Sequence, residues 1–247
     1  MMRRSFTALS LLALAAAPLA AQMKDSDPDK KAQGGELPAG WMGRTDRDNT
    51  KLADAKFVTM GPGFHVTSGP AAIYWKPTNM VTGPFTATAT FTQTKAPTHP
   101  EAYGIFFMGK SLASPQQDYA YMLVRGDGKV MVKHRVGKDV HTVLDWTENA
   151  AVKKQDADGK ATNTLMVDAS KPDSVRLSVN GAQIAAMPGA HMGKTDGFVG
   201  LRVNHNLDVH IAEFTITPKK GMVGKAPARA GAGKAAKKAM KKAATEE

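Results

Sequence analysis

The clearest pattern in the chain is strict alternation. From Phe85 it reads Phe-Thr-Ala-Thr-Ala-Thr-Phe-Thr, so Phe85, Ala87, Ala89 and Phe91 share one parity and Thr86, Thr88, Thr90 and Thr92 the other. Side chains alternate across a strand, which predicts a core face of phenylalanine and alanine and a threonine row in water. Tyr119 to Trp146 predicts a three-stranded meander: Tyr119–Arg125, a Gly126-Asp127-Gly128 turn, Lys129–Arg135, a second polar turn, and Val140–Trp146. A three-residue loop sets the register. Tyr119 then faces Arg135, Tyr121 faces Lys133 and Leu123 faces Met131, while Ala120 with His134, Met122 with Val132 and Val124 with Val130 occupy the opposite, apolar side. The mixed side is expected to be solvated, either as a ligand-facing surface or as a wet sheet face held by cross-strand pairs.

Further short runs of the same kind lie at Phe57–Met60, Phe64–Thr67, Ala71–Lys76, Ala102–Met108, Thr164–Asp168, Val175–Val179, Ala182–Met187, Phe198–Val203 and Val209–Thr217. Asn180-Gly181 is a tight-turn signal between two of them. In the last run Val209 and Ile211 differ in parity from Phe214 and Ile216, which predicts a β-bulge near Ala212 and Glu213. No helical period is sustained between Trp41 and Pro218. Many short strands without helices predict an all-β, two-sheet antiparallel β-sandwich of jelly-roll type over residues 41–218.

The ends read differently. Met1 to Ala21 has a basic start, a short apolar run and small residues, the pattern of a secretory signal peptide, so export to a periplasmic or extracellular space is expected. Residues 22–40 are polar and rich in Asp, Lys, Gly and Pro, and read as a flexible linker. Asp25, Asp27, Asp29 and Glu36 echo a calcium loop, but Lys30 stands where that loop requires glycine, which leaves a solvated acidic linker. Residues 219–247 form an Ala/Lys-rich basic tail, a disordered segment or a marginal helix suited to an anionic envelope surface.

Charge alters the picture only at the termini. Of the net +11, Arg3 and Arg4 contribute +2, and nine Lys/Arg against Glu246 and Glu247 contribute +7 in the tail, leaving +2 for the middle. The domain therefore carries no electrostatic footprint for nucleic acid. The absence of cysteine excludes a disulfide framework.

The meander, Val175-Arg-Leu-Ser-Val-Asn-Gly181, and Asp196-Gly-Phe-Val-Gly-Leu-Arg202-Val-Asn-His205 with Phe214-Thr-Ile216 resemble the concanavalin A-like, laminin G-like jelly rolls. Within these the chain looks closest to bacterial 3-keto-disaccharide hydrolase-like domains, from about Phe57 to Pro218. The resemblance implies two antiparallel sheets with carbohydrate on a concave face or its rim, and transfers no catalytic residue.

Candidate chemistry is sparse. Glycosidases of this general fold place two carboxylates two residues apart on a strand. Here Asp46/Asp48 and Asp156/Asp158 lie in polar, turn-like stretches, and Asp118, Asp145, Asp208 and Glu213 are isolated. The seven histidines are scattered, His205 and His210 point to opposite faces, and no cofactor motif is present, so no metal and no cofactor are expected. Aromatic faces beside polar groups are the usual furniture of a sugar site, which selects Trp75, Tyr119, Tyr121, Arg125, Arg135 and Arg202. Core burial is the alternative for Trp75. The expectation is an exported, non-catalytic carbohydrate- or polysaccharide-binding module. The alternatives are a hydrolase or lyase acting on keto-sugars or glycosides, and a structural envelope or adhesion protein attached through its tail. Neither strand order nor oligomeric state follows from these patterns.

Overall fold

The computed structural model describes residues 28–171, 174–188 and 194–218. The signal-peptide and tail readings fall on residues outside that set. Fourteen strands run in chain order: β1 (Met42–Thr45), β2 (Lys56–Met60), β3 (Gly63–Thr67), β4 (Ala72–Val81), β5 (Phe85–Gln93), β6 (Ala102–Lys110), β7 (Asp118–Arg125), β8 (Lys129–Val136), β9 (Asp139–Glu148), β10 (Ala161–Lys171), β11 (Ser174–Val179), β12 (Ala182–Pro188), β13 (Gly197–Val203) and β14 (Asp208–Pro218). They form two seven-stranded antiparallel sheets. Sheet A has the order β1-β4-β13-β6-β7-β8-β9 and sheet B the order β12-β11-β10-β5-β14-β3-β2. This is the two-sheet antiparallel β-sandwich that the alternation pattern implies.

Turn chemistry behaves as the sequence dictates. Gly128 takes a positive φ of 89°, closing the β7–β8 hairpin and pairing Tyr119 with Arg135, Tyr121 with Lys133 and Leu123 with Met131. Asn180 and Gly181, at φ 49° and 85°, turn β11 into β12. In β14 the register shifts between Ala212 and Thr215, and Glu213 adopts φ 53°, so the parity change is absorbed by a bulge. Strand β1 has no counterpart in the alternation pattern: its four residues pair only with β4, at the sheet edge.

The core lies between the sheets. Sheet A contributes Tyr74, Tyr103, Ile105, Phe107, Met122, Val124, Val130 and Leu201, and sheet B contributes Phe85, Ala87, Ala89, Phe91, Leu165 and Val167. Each fully buried phenylalanine adds roughly 1.5–3 kcal/mol of hydrophobic stabilisation. The threonine row on β5 stays partly exposed on the outside, where Thr90 and Thr92 pair with Thr164 and Thr162 through their hydroxyls at 2.9 and 3.0 Å.

Of the residues expected to form a linker, 28–40 are described, and part of that stretch is hydrogen-bonded to the domain. The Lys30 amide donates to Asn206 Oδ1 at 2.8 Å, and the Ala32 and Gly34 amides donate to the carbonyls of Asp54 and Ala53, each at 2.8 Å. Backbone groups satisfied by the domain hold a segment whose composition alone could not.

Candidate functional site

The outer face of sheet A departs from the usual polar exterior of a sandwich. Cross-strand register places Met42, Trp75, Gly200, Phe106, Tyr121 and Lys133 in one row, and Arg44, Ile73, Arg202, Gly104, Leu123 and Met131 in the next. Ile73, Trp75, Ala102, Phe106, Leu112, Tyr119, Tyr121, Leu123 and Met131 form a second buried apolar cluster on this side. Gly200 makes the packing possible, because a Cβ there would clash with the Tyr74 carbonyl and the Phe106 ring.

Within that cluster sits an ionic network. Arg202, only 4% exposed, donates through Nη1 and Nη2 to the two carboxylate oxygens of Asp46 at 2.7 and 2.5 Å. Its Nη1 also donates to the Tyr119 hydroxyl at 3.2 Å, and its guanidinium lies 4.6 Å from the Tyr121 ring centre. Arg135 approaches the same carboxylate at 3.6 Å. Burial would raise the Asp46 pKa, but the Arg202 charge and hydrogen bonds more than offset it and hold the carboxyl below its ordinary value. Burial likewise works against the charged Arg202, and Asp46 reverses this, keeping it protonated. Tyr119, desolvated, is pushed up to about 12, and Tyr121 is raised for the same reason. Both phenols are therefore neutral hydrogen-bonding groups at neutral pH.

The six residues selected from the sequence thus share one sheet face, but that face is not the solvated surface expected. Tyr119, Tyr121, Trp75 and Arg202 are 0%, 3%, 3% and 4% exposed. Parity assigned Tyr119 and Tyr121 away from the inter-sheet core, and the second cluster then covers them together with Trp75. Arg125 stands apart from the other five, bound to Asp127 and stacked 4.3 Å from the Trp146 ring. Of the six, Trp75 and Arg135 each line a hollow open to solvent.

Two hollows flank the segment 111–117. One, about 360 Å³, is apolar and lined by Met42, Trp75, Pro77, Leu112 and Phe198 together with Ser111, Ala113 and Ser114. The other, about 340 Å³, is lined by Arg44, Asp46, Arg47, Asp48, Gln117, Arg135 and Lys138, among others. Arg44 holds the partition by donating to the carbonyls of Leu112 and Ser114. In the polar hollow four cations face two carboxylates, and Asp46 is already engaged by Arg202. The Arg135 Nε is buried without a hydrogen-bond partner.

Sequence reasoning missed Asp46, which follows a four-residue edge strand and gives no periodic signal. It also missed a cluster around His205. The His205 Nε2 lies 2.7 Å from Glu101 Oε1, and its Nδ1–H donates to Asp29 Oδ1 at 3.0 Å. His99 Nδ1 lies 3.2 Å from the same Glu101 oxygen. The Glu101 hydrogen bond is the main cause of a raised His205 pKa. Scattered histidines predict no metal site, yet strand order brings three possible ligand groups together here. Asp118, Asp145, Asp208 and Glu213 do not converge: Asp118 meets His134, Asp208 meets His65 and Lys95, Glu213 meets Thr90, and Asp145 accepts from the Trp146 amide.

No protein-family model matches the sequence, and no curated protein matches it. Solved structures with a similar fold include sheep galectin-11 in complex with glycerol, at 12% identity and TM-score 0.41, covering 64% of this chain and 99% of that one. The Emp47p carbohydrate recognition domain matches at 11% identity and TM-score 0.42, covering 77% of this chain and 93% of that one. A Bacteroides ovatus GH16 protein from a mixed-linkage glucan locus, in complex with its G4G4G3G product, matches at 10% identity and TM-score 0.49, covering 76% and 98%.

Proposed function

We propose that this protein is an exported, non-catalytic carbohydrate-binding module, and that the paired hollows on the outer face of sheet A take a saccharide bearing a carboxylate. The observation that carries the reading is the cleft itself, where Arg44, Arg47, Arg135 and Lys138 line the wall beside Asp46 and Asp48. A sugar carboxylate or hydroxyl would meet the cations of that wall. The neighbouring Trp75/Phe198 hollow offers an apolar surface to the C–H face of an adjoining ring. Buried Arg202, Tyr119 and Tyr121 act from beneath, setting the position of Asp46 instead of touching the ligand.

Recognition without catalysis is favoured because no strand among the described residues carries two carboxylates two apart. Export rests on the pattern of residues 1–21. The +7 tail supports reversible attachment to an anionic envelope surface, and equal vesicle binding by intact and tail-deleted protein across a salt titration would remove that part of the reading.

The test is a glycan array holding uronate- and sialate-containing oligosaccharides beside their neutral counterparts. Preference for the acidic members is expected, with Arg135→Gln lowering affinity about tenfold or more, since a hydrogen bond to a charged group contributes about 1.5–3 kcal/mol. Silence across the array, or unchanged binding by the variant, counts against this site.

A further inference from the structure

We propose that His99, Glu101 and His205 form a binding site for a zinc-class divalent transition-metal ion, held by His99 Nδ1, Glu101 Oε1 and His205 Nε2. These three atoms all lie within 4.8 Å of one another, with separations of 2.7 Å from His205 and 3.2 Å from His99 to the shared carboxylate oxygen. Ligand bonds of about 2.0–2.1 Å around a tetrahedral ion put neighbouring donors about 3.3 Å apart; the His99–Glu101 separation of 3.2 Å already matches this, the His205–Glu101 separation of 2.7 Å has to open, and the two nitrogens lie within 4.8 Å of each other. Two imidazole nitrogens and one carboxylate suit zinc and its neighbours, and are too few and too nitrogen-rich for calcium or magnesium. The two rings are tilted by 50° with centres 5.3 Å apart, so they do not stack face to face.

The groups behind the ligands fit the same role. Asp29 Oδ1 accepts from His205 Nδ1 at 3.0 Å, and the second Asp29 oxygen is held by Arg47 at 2.5 Å. A carboxylate on the far nitrogen fixes the ring's orientation, so that Nε2 presents its lone pair to the metal once the ion displaces the proton Nε2 shares with Glu101. Burial grades outward: the Glu101 and His205 side chains are 11% and 18% exposed, and that of His99 is 42%. The ion therefore enters from the His99 side, where a water completes the fourth position. His99 and Glu101 precede β6, His205 lies in the β13–β14 turn, and Asp29 belongs to the segment laid over that turn. Occupancy would pin that segment to the domain. The site stands independently of the saccharide reading.

The test uses the tag-free full chain, stripped with a chelator and titrated with Zn²⁺ by calorimetry and with Co²⁺ by visible absorption. One zinc per chain is expected, with the intense cobalt spectrum of a low-coordinate nitrogen and oxygen site. His99→Ala, at an exposed position, should keep the circular dichroism and melting behaviour of the parent while weakening zinc roughly 100-fold or more. Asp29→Asn should keep the stoichiometry and weaken affinity roughly 10- to 100-fold, as loss of an outer carboxylate does elsewhere. Glu101→Gln preserves shape and removes the charge, and should abolish the cobalt spectrum. Absence of stoichiometric zinc uptake, or parental affinity in His99→Ala, overturns the site.

Discussion

The two outer faces of this sandwich solve the same problem in opposite ways. Sheet B shows water what an antiparallel sheet ordinarily shows it: the Thr86–Thr92 row, hydroxyl pairs with β10, and the Asp168–Arg176 ion pair at 2.8 Å. Sheet A turns outward a second apolar layer containing Phe106, Tyr119, Tyr121 and Trp75, and buries a bidentate Arg202–Asp46 pair inside it. A buried ion pair is weak as a source of stability, because desolvating both charges offsets most of their attraction. The ion pairs on sheet B, Asp168–Arg176 and Asp208–His65, contain no cation as deeply buried as Arg202, so the sheet A pair points to positioning: it orders Asp46 at the edge of a cleft.

The comparison can be broken by mutation. Phe106→Ala on sheet A should cost about 3–5 kcal/mol in urea unfolding, as much as truncating Phe91 between the sheets, if the outer layer is a true core. Asp46→Ala should cost a similar ~3–5 kcal/mol by leaving Arg202 buried and uncompensated, whereas Asp168→Ala on sheet B should cost about 1 kcal/mol or less. The Asp46 contribution also has a pH signature. Its folded pKa is depressed below the ordinary 3.8, so the stabilisation is fully present above that value and is lost as pH falls further, through the folded pKa. Acid unfolding followed by tryptophan fluorescence should therefore show the gap between parent and Asp46→Asn closing below pH 3.8. Arg125→Ala, which removes a stack on Trp146 and an exposed-side ion pair with Asp127, should cost about 1 kcal/mol. Thr88→Ala on sheet B should change stability by no more than about 0.5 kcal/mol. Equal losses at Phe106 and Thr88 would erase the distinction between the faces.

Much of the fold was legible in local chemistry. Alternation located thirteen of the fourteen strands, Gly126-Asp-Gly128 set the meander's register, and the parity break foretold the bulge at Ala212 and Glu213. Strand β1 was not legible, because Met42-Gly-Arg-Thr45 is too short to show a period. The candidate site was half legible. Parity placed Tyr119, Tyr121 and Arg135 away from the inter-sheet core, yet parity separates two faces without saying whether the second is wet or covered.

By itself, then, the sequence determined which segments extend, where they turn and which side chains share a face, since these depend on neighbours one to four residues away. Tertiary structure alone decided what lies over that face and what meets across it. Asp46 reaches Arg202, 156 positions distant, and Asp29, Glu101 and His205 meet, only because β1, β4, β13 and β6 lie side by side in an order set by non-local pairing. Contacts of that separation follow from how whole strands bury their surfaces together, and no local pattern of residue types encodes them.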